Sequence, residues 1–219
     1  MKIPFTTEQF LGVFAAYNQS VWPAQVALFA AALVILALSL KTFSFSSIVS
    51  GSILGVFWIW MGIAYHIVQF TSINPAAYVF GIACILQGLI FLWNGFRRTL
   101  EFRFSWDVRG WAGGLLILYA LILYPIVGSL LGHVYPSSPT FGLPCPTTIV
   151  TFGMLLWVRK PPLIVLIIPV LWSLIGFSAA LQLGIKEDFG LPMAAALVII
   201  LQVIGVITEQ LMVREVGHP

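Results

Sequence analysis

Charge is what this chain has least of: only 8% of its 219 residues are Asp, Glu, Lys or Arg. An average soluble domain carries about 25%. With 60% of the residues hydrophobic, there is too little polar surface to cover a globule in water. That excludes a water-soluble enzyme, a disordered chain and a nucleic-acid binder, which needs a basic stripe the sequence lacks. Cysteine is scarce too: Cys84 falls in a hydrophobic run and Cys145 in a polar loop, a placement that predicts no structural disulfide. No basic stretch precedes the first apolar run at Val21, so that run is expected to stay as a span rather than be cleaved as a signal peptide. Walker A, HExxH, GxSxG and CxxCH patterns are all missing, which weighs against an enzyme. The last apolar run, Leu191 to Leu211, holds no lysine for a Schiff base, so retinal is excluded as a cofactor.

What is present is long apolar runs. A helix needs about 20 apolar residues to cross a bilayer core. Six segments qualify: Val21 to Leu40, Ile48 to Phe70, Ala76 to Trp93, Trp111 to Leu131, Leu163 to Leu183 and Leu191 to Leu211. A seventh, Phe141 to Val158, is short and broken at its start by Gly142, Pro144 and Pro146. If it crosses and the N-terminus is outside, Lys41, Arg97, Arg98, Arg103, Arg109, Arg159, Lys160 and Arg214 lie inside, against Lys2 and Lys186 outside. If it does not cross, the split falls from eight-to-two to six-to-four. Positive residues stay cytoplasmic, so the expected fold is an all-α integral membrane protein. It is a seven-transmembrane-helix bundle with the N-terminus outside, the C-terminus inside and residues 1–219 in a single domain.

Residues 1–20 are expected to form an amphipathic helix in the outer interface. Thr6 and Gln9 supply a capping box, and Phe10, Leu11, Phe14 and Tyr17 recur at helical spacing. The loop from Arg97 to Gly110 alternates arginine with Phe102, Phe104 and Trp106, and reads as a topology anchor or a dock for anionic lipid. Gly51, Gly55, Gly62 and Ala64, with Trp58 and Trp60, read as close helix packing.

Polar groups are expensive in lipid, and those present face protein or water. Seven-span topology brings His66, His133, Cys145 and Asn74 to the outer side, together with Glu8 and Asn18 of the interfacial helix. Histidine, cysteine and glutamate are ligands suited to copper or zinc. His66, Cys145 and His133 are therefore candidate metal ligands, and Asn74, Glu8 and Asn18 candidate binding residues around them. Pro146 is expected at the first helical position with Cys145 as the cap, where a thiol is a better ligand and nucleophile. Broken helix starts of this kind bind the transported species in many transporters. Glu209 reads as a gating carboxylate or as a partner of Lys41, Arg97 or Arg98 at the inner boundary.

Several stretches carry a resemblance. Pro4-Phe5-Thr6-Thr7-Glu8-Gln9-Phe10, Tyr17-Asn18, Trp22-Pro23-Ala24-Gln25, Tyr65-His66, Ile73-Asn74-Pro75-Ala76-Ala77 and Phe141 to Thr148 resemble an uncharacterised family of bacterial polytopic membrane proteins, domain of unknown function 6064. The resemblance implies a multi-pass protein of the bacterial inner membrane and implies no activity. The functional expectation is a small-solute or metal-ion transporter or binding protein with a site near the outer face. The alternatives are a membrane enzyme acting on a lipid or quinone-like substrate, and a non-catalytic subunit or sensor. Membrane lipids are the expected partners, with a protein partner or homo-oligomer also open.

Overall fold

The computed structural model describes residues 4–41 and 43–216; for Val206 and residues 209–216 it describes the backbone alone. Among the described residues the secondary structure is helical, with no strand. Helix α1 (Thr7–Val21) begins with the expected capping box: Thr6 accepts from the Gln9 N–H, and the Gln9 side chain accepts from the Thr6 N–H. An 86° bend separates it from α2 (Ala24–Leu40). α3 (Ser46–Trp60) widens into a π-helical turn over Met61–Ile67. α4 (Ala77–Phe96) is regular. α5 (Val108–Leu118) passes through a second π-helical turn, Tyr119–Leu123, into α6 (Tyr124–Leu130). α7 (Pro144–Leu156), α8 (Ile164–Leu183) and α9 (Gly190–Val216) complete the chain.

Among the described residues, five helical segments are long and apolar enough to cross a membrane: Ser46–Ser72, Ala77–Phe96, Val108–Leu130, Ile164–Leu183 and Lys186–Gly205. The bent pair α1–α2 makes a sixth if it counts as one span. α7, the expected short span, has 13 residues, a length of about 20 Å against a bilayer core of about 30 Å.

Many large apolar residues point outward. On α4, Val79, Ile82, Leu86, Leu89 and Trp93 are exposed, while Gly81, Cys84, Gln87, Gly88 and Gly95 face in. This reverses the pattern of a soluble helix and suits lipid, where small residues allow backbones to approach. Gly51, Gly55 and Gly62 of α3 and its π turn meet Gly95, Gly88 and Gly81 of α4. A Cβ on Gly51 would lie 2.6 Å from the Gly95 Cα, and one on Gly88 would lie 2.6 Å from the Gly55 carbonyl oxygen.

α7 is the hub. All of its residues except Cys145 are buried, as expected of a helix that is apolar all round. Its polar atoms reach its neighbours. The Trp58 indole donates to Thr151 Oγ1 at 3.0 Å, and Gln202 donates to the Leu155 carbonyl at 3.1 Å. Gln87 donates to the Val165 carbonyl of α8 at 3.0 Å. At the arginine-rich end, Arg109 donates to the Val158 carbonyl at 2.7 Å and Trp157 to the Gly110 carbonyl at 2.9 Å. The loop before α5 is packed rather than free, with Leu100 and Phe102 buried.

Candidate functional site

The connection between α8 and α9 positions two carboxylates. α8 stops at Gly184, whose φ of +75° puts it in the left-handed region and whose N–H closes on Ala180. A single 3₁₀ turn, Lys186–Phe189, follows at once. It leaves Lys186 exposed and turns Glu187 and Asp188 inward, where they are 0% and 4% exposed. Neither carboxylate stood out as a site residue in the sequence, where Lys-Glu-Asp between two apolar runs reads as a solvated turn.

Each carboxylate has its own partners. Glu187 Oε1 lies 2.6 Å from His133 Nδ1, and the Glu187 carbonyl accepts from the Tyr119 hydroxyl at 2.7 Å. Glu187 Oε2 is buried without a partner. Asp188 accepts a hydrogen bond from the Tyr124 hydroxyl and another from the Cys145 thiol. Glycine clears the space: a Cβ on Gly128 would come within 3.2 Å of Glu187 Oε1, and one on Gly190 within 2.4 Å of the Tyr119 ring. Tyr119 opens the second π turn and Tyr124 follows it directly. Such wide turns recur at functional sites because they re-aim side chains.

Asp188, Tyr124 and Cys145 form the polar end of a cavity of about 350 Å³. Its other walls are mostly apolar, with Phe5, Phe10 and Phe14 from the α1 side, Tyr65 and Phe70 from the end of α3, Phe80 from α4, and Trp172, Ile175 and Ala179 from α8; Asn74, Ser178 and Gln182 add polar groups to the lining. The rings brace one another, with Phe80 and Trp172 centroids 5.6 Å apart and Tyr65 and Phe70 5.5 Å apart. The Trp172 indole N–H is buried and unpartnered. Cavities of this size, apolar with a few convergent polar groups, are the usual form of a small-molecule site.

The residues expected at a metal site are not gathered into one. Cys145 lies in the first turn of α7 rather than at its cap; Leu143 is the cap residue and Pro144 the first helical residue. Its thiol faces Asp188. His133 is taken up by Glu187. His66 is fully buried in the first π turn among Tyr65, Phe70, Phe80 and Trp172, and neither ring nitrogen has a partner. Among the described residues no group of three or more His, Cys, Asp or Glu side chains is arranged to hold a metal ion. His66, Cys145 and His133 therefore do not form the common ligand set expected of them.

The remaining candidates have separate roles. Asn74 lines the cavity and accepts from the Ala76 N–H at 3.1 Å, shaping the turn before α4. Glu8 is exposed in the first turn of α1, where a carboxylate complements the helix dipole. Asn18 is a clamp: it donates to the Pro136 and Ser138 carbonyls at 2.6 and 2.8 Å and accepts from Gln25 and Thr140, each at 2.7 Å. It ties α1 and α2 to the loop that carries His133. The Glu209 side chain lies outside the described residues.

A family model described as a family of unknown function (DUF6064) matches residues 7–212. No curated protein and no solved structure matches the chain.

Proposed function

The chain belongs to the DUF6064 family, and from that premise we propose that it is a small-solute binding protein of the membrane, of transporter type, whose occupant is largely apolar with one hydrogen-bonding end. The observation that carries this reading is the cavity itself, with aromatic and aliphatic walls and one polar end made by Asp188, Tyr124 and Cys145. The separate placement of His66, Cys145 and His133 favours an organic solute over a metal ion. The charge distribution supports an N-terminus outside and seven crossings, with α7 as the short fifth; in this reading the cavity lies near the outer face, and the setting we propose is a bacterial inner membrane.

The test uses Trp172, which lines the cavity. Protein in nanodiscs is titrated with 4-bromobenzyl alcohol, whose heavy atom quenches indole fluorescence. Saturable quenching that disappears in Ala179→Phe is expected. Quenching that rises linearly and equally in both proteins would mean that the probe only partitions into lipid, and the reading fails.

A second reading, an enzyme acting on a lipid or quinone-like substrate, draws on one observation: the Cys145 thiol stands beside the Asp188 carboxylate, a nucleophile next to a base. It requires that decylubiquinone protect Cys145 from N-ethylmaleimide. Equal labelling with and without the quinone would remove it.

A further inference from the structure

The cavity has a polarity that its apolar walls conceal. We infer that its ligand is a lipophilic organic cation, held by the Asp188 carboxylate at one end and by the aromatic walls around its body. The inference rests on the reading of the cavity as a solute site and names the chemical class of that solute.

Two observations converge. First, the charges at this end do not balance within the protein. Glu187 has His133 at 2.6 Å, whereas among the described residues Asp188 has a hydroxyl and a thiol as hydrogen-bond partners. The titratable groups that face Asp188 are Tyr65, Tyr119, Tyr124, Cys145, Glu187 and His133. His133 alone among them can be cationic, and Glu187 already holds it. Lys186, next in the chain, is exposed. A carboxylate buried without a counter-charge is costly unless it takes up a proton or a counter-ion.

Second, the space beside that carboxylate is walled by π faces and edges: Tyr65, Phe70, Phe80, Tyr124 and Trp172. Rings surrounding a site are the usual means of binding alkylammonium groups, because their negative faces attract a cation at little desolvation cost. An anion would meet repulsion from the carboxylate.

A proton and an organic cation would then compete for one carboxylate. The cation binds Asp188 in its ionised form, and a proton bound there must leave to solvent first. Binding therefore weakens as pH falls.

Two probes of one shape separate charge from size. Benzyltrimethylammonium and neopentylbenzene differ in a single atom, a quaternary nitrogen in place of a quaternary carbon. Each is used to displace 4-bromobenzyl alcohol from the wild-type protein in nanodiscs. At pH 8 the cation should act at about tenfold lower concentration or less. Its advantage should shrink by pH 5 and vanish in Asp188→Asn, which keeps the side-chain shape. Equal displacement by the two probes, no displacement by the cation, or a preference unchanged in Asp188→Asn would overturn the inference and leave the solute site standing. Should Asp188→Asn fail to fold, the wild-type pH series decides: a preference constant from pH 5 to pH 9 overturns it. Failure of the bromide probe itself to saturate belongs to the earlier reading.

Discussion

The seam between α3 and α4 and the cavity beside α8 lie in one bundle and solve opposite problems. At the seam, glycine faces glycine and the backbones touch, with no room for a single added carbon at Gly51 or Gly88. At the cavity, large rings stand apart and hold space open. Glycine serves both ends, but differently: beside the cavity, Gly128 and Gly190 make way for a carboxylate and a tyrosine rather than for another backbone. The seam is where the protein spends its packing; the cavity is where it withholds it.

Adding carbon at each place breaks the comparison most directly. Gly88→Leu should have the largest effect, because its Cβ would meet the Gly55 carbonyl oxygen and Ile59 Cγ1, each at 2.6 Å. Overpacking against backbone should cost about 3 kcal/mol or more, read as loss of monodisperse protein and a lower Tm in detergent. A wild-type Tm would show that the seam can spread.

Asn18→Ala comes next. It removes the clamp on the His133 loop and should cost about 2 kcal/mol, with faster hydrogen exchange at residues 133–140. Unchanged exchange would mean that Gln25 and Thr140 suffice to hold the loop.

Ala179→Phe adds more atoms than Gly88→Leu yet should change stability by less than about 1 kcal/mol, since it grows into open space. Its mark is the lost quenching by 4-bromobenzyl alcohol. A fall in stability as large as at Gly88 would erase the distinction between seam and cavity.

The smallest effect is expected far from both, at Asp107. Its carboxyl is held below the usual carboxylate range, first by the Ser105 hydroxyl and then by the Gly110 N–H at the start of α5. A depressed value stabilises the fold above the ordinary carboxylate pKa of about 4 and loses that contribution as pH falls through the folded value. Because the site is exposed, a few tenths of a kcal/mol is the scale. The Tm gap between wild type and Asp107→Asn should narrow from pH 6 to pH 3; a gap that widens on acidification would reverse the assignment.

Much of the seam was legible beforehand. Gly51, Gly55 and Gly62 read as packing positions because helical periodicity and small size are local properties. Thr6 and Gln9 announced the start of α1 for the same reason. The Pro-Cys-Pro break was visible too, two residues from its true helical register. The cavity was legible only in part. Cys145 and Asn74 line it, but its acid, Asp188, was hidden in a turn. How deep a connection sinks depends on the left-handed Gly184 and on the tightness of the turn after it, and no hydropathy window registers either. His66 misled in the opposite direction: the rings packed on it come from α4, α8 and the end of α3 and leave no trace in spacing. Shared depth is a weaker statement than shared pocket.

The 86° bend between α1 and α2 bears on supply. In the proposed orientation, with α2 crossing the membrane, the bend would lay α1 along the membrane plane; Phe10 and Phe14 on it form one wall of the cavity. The wall is fastened to α8 by the Thr7 hydroxyl on the Leu183 carbonyl at 3.3 Å and otherwise by contacts between side chains. A chamber closed on one side by a surface-lying helix draws from the layer that helix floats in. The concentration that governs occupancy is then the one in the lipid headgroup layer, where amphiphiles accumulate, and the bulk aqueous value underestimates it by the partition coefficient.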